Sequence, residues 1–79
     1  ARIDLMNNER ARSFFDGDLD VSRILRNISL ETGVPITTDT LVLLDEIQEC
    51  PRALTALKYF CEDAREYHVI ATGSYMGIA

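Results

Sequence analysis

Two adjacent carboxylates, Asp45 and Glu46, directly follow four apolar residues at positions 41–44. A continuous apolar run, unlike an alternating one, is typical of a strand buried on both faces of a parallel sheet. Ligands of such sheets bind just outside the carboxyl ends of the strands. Carboxylates at such a strand end could hold a divalent metal ion or act as a general base toward water.

Strand and helix signals alternate along the rest of the chain. The predicted strands lie near residues 2–6, 41–45 and 68–72. Three predicted helices connect them: a brief one from Glu9 that ends by Gly17, one capped by Asp20 and ended by Gly33, and one from Pro51 to about residue 64. Strands that alternate with helices imply crossover connections. We therefore predict an α/β fold with a three-stranded parallel sheet.

Composition restricts the function classes. The chain has 79 residues, 47% hydrophobic and 27% charged, with a formal net charge of −5, which argues against a nucleic-acid surface. No apolar run approaches the ~20 residues that span a bilayer. Cys50 and Cys61 form no C-x-x-C pair and no zinc pattern, so we expect reduced thiols and a cytoplasmic location. Arg52 and Arg65 are expected to be solvated.

The segment from Leu41 to Ala79 resembles the Walker B to sensor 1 segment of a family of prokaryotic P-loop ATPases in the AAA+ superfamily. The residues that carry the resemblance are LDEIQECPRAL, then ALKYFCED, then YHVIATGS. Upstream, Gly17-Asp18-Leu19-Asp20 resembles the start of that family's acidic helix. The similarity thus covers nearly the whole chain, and its length makes it specific.

The resemblance implies roles for individual residues. Asp45 would hold Mg²⁺, and Glu46 would polarise the water that attacks ATP. Ser74, with Thr72 as second choice, would be the sensor 1 hydroxyl that contacts the γ-phosphate or orients the water. The family usually has alanine at the position of Thr72, so here two hydroxyls compete for this role. Gln48 could relay the presence of the γ-phosphate, or it could be a polar loop residue.

The family's other parts are not found in these residues. It implies a glycine-rich phosphate loop and commonly a C-terminal domain resembling restriction endonucleases, but no G-x-x-x-x-G-K-[ST] motif occurs here. We therefore expect a fragment, residues 1–79, of one AAA+ domain of the three-layer α-β-α type, which lacks the phosphate-loop strand. ATP and Mg²⁺ would bind to the complete protein, whereas the fragment alone would be inactive.

The resemblance also implies a strand order. The family's sheet would place the Asp45-Glu46 strand between the other two, and the phosphate-loop strand would normally cover the outer edge of the strand near residues 68–72. Without it, unpaired backbone groups would be exposed. We therefore expect self-association through this edge.

Other functions stay open at this point. The complete protein could be a nucleotide-dependent switch that binds ATP and hydrolyses it slowly, or a non-catalytic interaction module. A metal-dependent nuclease or phosphatase could use Asp45 and Glu46 as ligands, but it would need further carboxylates at other strand ends. Asp4 is expected to be poorly placed to provide one. Finally, Asp45 and Glu46 could be solvated residues with no role.

Overall fold

The computed structural model describes residues 1–73 of the chain, in which three strands alternate with helices. The elements are β1 (Arg2–Asp4), α1 (Glu9–Ser13), α2 (Val21–Thr32), β2 (Leu41–Asp45), a 3₁₀ helix (Ile47–Glu49), α3 (Pro51–Asp63) and β3 (His68–Ala71). The predicted order of elements is confirmed. The 3₁₀ helix directly after the two carboxylates was not predicted.

The strands form one parallel sheet in the order β1-β2-β3, with β2 in the middle. This confirms the predicted α/β class, the three-stranded parallel sheet and the central position of the Asp45 strand. β1 ends earlier than predicted, because the Asp4 carboxylate accepts a hydrogen bond from the Met6 N–H at 2.9 Å and turns the chain.

The two faces of the sheet differ in burial. Ile3, Val42 and Leu44 lie on one face and are almost completely buried in the core cluster shared with the helices. On the other face, Leu41 is 49% exposed and Ile70 is 50% exposed. The expectation that β2 is buried on both faces is therefore wrong within residues 1–73.

The handedness of the connections between the strands explains why one face of the sheet is buried and the other is exposed. The chain moves from β1 to β2 to β3 in one direction across the sheet, and right-handed crossovers then place the two long helices, α2 and α3, on the same side. Each helix contributes three apolar side chains to the core: Ile24, Leu25 and Ile28 from α2, and Ala53, Ala56 and Phe60 from α3. Residues 1–73 thus supply the sheet and one helical layer. Among these residues, no helix has both the length and the apolarity needed to cross a membrane.

Most helix boundaries follow the local signals in the sequence. Asn8 caps α1 by accepting the Ala11 N–H at 3.0 Å. Pro51 is the first residue of α3, where its missing N–H removes no helical bond. Gly33 ends α2 in the left-handed conformation, with φ 71°. Asp20 occupies the N-cap position of α2, but its side chain makes no capping bond.

Arg52 holds the loop that follows α1. Its Nε donates to the Phe15 carbonyl at 3.0 Å, and its Nη2 donates to the Gly17 carbonyl. Arg52 is exposed, as expected, but its guanidinium also makes these two specific bonds, which the sequence did not predict. The guanidinium thus provides donors for two backbone carbonyls of a segment that has left the helix.

Candidate functional site

Asp45 is the last residue of β2, and its carboxylate is held by the two neighbouring strands. Arg2 donates from Nε at 3.1 Å and also from Nη2, and the Thr72 hydroxyl donates to the other carboxylate oxygen. The hydrogen bond from Thr72, followed by the one from Arg2, lowers the pKa of Asp45 below its ordinary value. Asp45 is therefore a fixed, ionised carboxylate at neutral pH, and its side chain is 23% exposed.

Glu46 turns the chain away from the strand. Its backbone is left-handed, with φ 56° and ψ 51°, and it is the one non-glycine residue with positive φ in residues 1–73. This conformation costs about 1 kcal/mol or more for a residue with a Cβ. It also breaks the alternation of an extended strand, so the carboxylates of Asp45 and Glu46 need not point to opposite faces of the sheet.

Gln48 contacts the Glu46 carboxylate. Its Nε2 donates to Glu46 Oε1 at 2.7 Å. The Gln48 carbonyl oxygen Oε1 is buried and has no hydrogen-bond partner within the described part of the chain. This end of the amide faces Gly73, just after β3. The predicted relay role of Gln48 stays a prediction, but its side chain does lie beside Glu46.

Backbone hydrogen bonds connect Thr72, the residue that follows β3, to the end of β2 and to the 3₁₀ helix after it. The Ile47 N–H donates to the Thr72 carbonyl at 2.9 Å, and the Thr72 N–H donates to the Leu44 carbonyl at 3.0 Å. Thr72, the second choice for the sensor hydroxyl, thus bonds Asp45 through its side chain and the turn through its backbone. Ser74, the first choice, lies outside the described residues. Which of the two acts as sensor 1 stays a prediction.

Arg2 is the site residue that sequence reasoning missed. The strand register pairs Arg2 with Leu43 and Asp4 with Asp45, so Arg2 lies diagonally across from Asp45 on the same face. The presence of an arginine on one predicted strand and of an aspartate on its neighbour in the sheet could have indicated this ion pair. The register that brings them together is a tertiary property, which local patterns do not specify.

Asp4 is better placed than expected. Asp4 was expected to be poorly placed to provide a further ligand, but the strand register sets it directly opposite Asp45 on the neighbouring strand. Its carboxylate is already engaged by the Met6 N–H. Residues 1–73 contain no group of three or more His, Cys, Asp or Glu side chains that could enclose a metal ion. A metal cage made of protein ligands alone, as a nuclease site of this kind would need, is therefore not formed by these residues.

A magnesium ion held mainly by phosphate and water needs fewer protein ligands than such a cage. Mg²⁺ in nucleotide sites uses one or two carboxylates together with water and substrate phosphates. Asp45 supplies an ionised carboxylate whose Oδ2 accepts both Arg2 donors, so a cation would have to use the second acceptor position of Oδ1, the oxygen that accepts from Thr72. A cation at this position would therefore need phosphate or water for most of its ligands, because residues 1–73 contain no group of three His, Cys, Asp or Glu side chains around it.

Residues 1–73 thus form a parallel α/β unit with two adjacent carboxylates, Asp45 and Glu46, at the end of its central strand. Comparison with protein families identifies the class: the model of the family described as AAA domain matches residues 2–78. The chain therefore belongs to the AAA domain family of P-loop ATPases. Searches of curated proteins and of solved structures gave no significant match.

Proposed function

We propose that this chain forms the Walker B to sensor 1 part of an ATP-binding and ATP-hydrolysing AAA domain. The observation that carries the proposal is the pair at the end of β2, where Asp45 is fixed and ionised and Glu46 is turned out of the strand. Membership of the AAA domain family supports the nucleotide-binding part of the proposal.

The two carboxylates have different roles in this proposal. Asp45 would hold Mg²⁺ through Oδ1, the oxygen that Arg2 does not contact, and the bound ion would neutralise charge on the β- and γ-phosphates. Glu46 accepts a proton from the attacking water as general base, which typically contributes about 10²–10⁴ in rate. Gln48, which touches Glu46, relays the presence of the γ-phosphate. Ser74 or Thr72 supplies the sensor hydroxyl.

The phosphate-binding part of this domain is supplied by residues outside the 79. Phosphoryl transfer depends mostly on positioning and charge neutralisation. A polypeptide of residues 1–79 alone is therefore inactive, because it carries no lysine in a phosphate loop. The complete protein would further carry the restriction-endonuclease-like C-terminal domain common in the family it resembles.

Nucleotide binding by the full-length protein tests this proposal. Titration calorimetry with a non-hydrolysable ATP analogue should show binding that Mg²⁺ strengthens. Asp45→Asn should weaken this Mg²⁺-dependent binding about tenfold, because the neutral amide loses the charge attraction to the cation. Asp39→Asn is the matched control, since Asp39 is an exposed carboxylate in the loop before β2.

Other results of these binding measurements would refute the proposal or change it. Absence of nucleotide binding by the full-length protein would refute the proposal. Equal effects of Asp45→Asn and Asp39→Asn would refute the role of Asp45. Tight Mg²⁺-dependent binding with negligible turnover would favour a nucleotide switch over an active ATPase.

A further inference from the structure

The NH₂ group and the carbonyl group of the Gln48 side-chain amide both lie next to other residues of the protein. One end lies 2.7 Å from the Glu46 carboxylate, and the other is buried next to Gly73. A carboxylate only accepts hydrogen bonds, so the amide end that faces Glu46 must be the NH₂ group. The carbonyl end must then face Gly73, and this orientation of the amide follows from chemistry alone.

Gly73 provides the space that Gln48 occupies. A Cβ atom at position 73 would lie 2.3 Å from Gln48 Oε1, far inside van der Waals contact. The next neighbour from another residue, Ile47 Cγ2, would lie at an ordinary 3.7 Å. A side chain at this position would therefore displace the amide of Gln48 and little else. The bond from the Ile47 N–H to the Thr72 carbonyl keeps the two segments together.

Stability alone does not account for a glutamine at this position. Gln48 Oε1 is buried without a partner in residues 1–73, and such burial costs about 1–3 kcal/mol, comparable to the gain from a hydrogen bond to a charged group. A methionine, which has nearly the same length and volume, would fill the same space without this cost. What methionine cannot do is donate a hydrogen bond to Glu46.

We propose that Gln48, seated against Gly73, is a positioning residue that fixes the carboxylate of Glu46. The 2.7 Å bond from Gln48 Nε2 to Glu46 Oε1 restricts rotation of the Glu46 carboxylate, in a turn whose backbone is left-handed at Glu46. Gln48 donates to one carboxylate oxygen and holds it relative to β3. This inference rests on the proposed function, in which Glu46 is the general base.

Kinetics of the full-length protein test the inference. Gln48→Met keeps the packing and removes the donor, so the midpoint of thermal unfolding should stay the same or rise while kcat for ATP falls about tenfold and KM stays unchanged. Gly73→Ala should displace the flexible end of Gln48 and lower kcat to a similar extent. In the Gln48→Met background, Gly73→Ala should add less than twofold, because the donor is already gone.

If Gln48 contributes only to packing, the substitutions should change kcat in a different way. If Gln48→Met leaves kcat unchanged, or if the two substitutions multiply in their effects on kcat, the positioning role is overturned. Glu46→Gln, measured in parallel, separates the two levels of the proposal. Loss of turnover in Glu46→Gln with normal turnover in Gln48→Met overturns the positioning role alone, whereas normal turnover in Glu46→Gln overturns the proposed function.

A spectroscopic measurement does not depend on turnover. The side-chain NH₂ signals of Gln48 in a ¹H–¹⁵N correlation spectrum should shift on Glu46→Gln and on Gly73→Ala. They should not shift on Glu49→Gln, since Glu49 is exposed in the same 3₁₀ helix. Unchanged Gln48 signals in both Glu46→Gln and Gly73→Ala would overturn the contact on which the inference depends.

Discussion

Leu44 and Leu41 offer a matched test of how the sheet is covered. Both are leucines of β2, but Leu44 is completely buried under the helices and Leu41 is 49% exposed on the opposite face. Leu44→Ala removes buried methyl groups and leaves a cavity, which should cost about 3–5 kcal/mol. Leu41→Ala removes groups that are already half in water and leaves no enclosed cavity, so about 1 kcal/mol is expected.

These costs are large relative to the stability of a small domain. At about 0.05–0.15 kcal/mol per residue, a chain of this size has about 4–12 kcal/mol in total. For a domain of this size, 1 kcal/mol shifts the unfolding midpoint by roughly 4–8 °C. Leu44→Ala should therefore lower the midpoint by at least about 12 °C, and Leu41→Ala by about 4–8 °C.

Urea unfolding of a polypeptide of residues 1–79, followed by far-UV circular dichroism, measures this difference directly. The intrinsic preference of alanine for a strand affects both variants alike, so the difference between them reports burial. If Leu41→Ala costs as much as Leu44→Ala, both faces of β2 are covered in the folded protein. The assignment of the helices to one face would then be wrong.

Three further predictions concern the site, the loop after α1 and the sheet edge. Because the folded-state pKa of Asp45 lies below its unfolded value, its contribution to stability is fully present above about pH 4 and is lost as the pH falls through the lowered pKa. Thr72→Val should raise the pKa of Asp45 toward its ordinary value in a ¹³C NMR titration, and an unchanged pKa would contradict the role of the hydroxyl. Arg52→Met should cost about 1–2 kcal/mol in urea unfolding, because two loop carbonyls lose their donor, whereas Arg65→Met at an exposed position should cost less than about 0.5 kcal/mol. Equal costs would show that the Arg52 bonds contribute nothing. A polypeptide of residues 1–79 should self-associate through the outer edge of β3, and a constant monomer mass in light scattering at rising concentration would contradict this.

Local signals in the sequence predicted the order of elements well. The four-residue apolar run marked β2, Gly33 and Pro51 marked helix boundaries, and the alternation of strands and helices indicated a parallel sheet. These features depend on the backbone preferences of individual residues and on the periodicity of apolar side chains. Both properties are present in short stretches of sequence.

The contacts of the candidate site were less predictable, since they join distant parts of the chain. The Arg2–Asp45 pair depends on the register between β1 and β2, and the Gln48–Gly73 contact depends on how the 3₁₀ helix meets the end of β3. The left-handed Glu46 had no local signal, because glycine or asparagine is the usual residue in that conformation. The exposed face of β2 followed from connection handedness, which an apolar run does not reveal.

The central claim is that Glu46 activates water for ATP hydrolysis. Steady-state ATP turnover of the full-length protein, measured for the wild type, Glu46→Gln and Glu49→Gln, tests it most directly. The account predicts that Glu46→Gln lowers kcat by at least about 10²-fold while ATP still binds, and that Glu49→Gln leaves kcat unchanged. Turnover of Glu46→Gln at the wild-type rate would contradict the account.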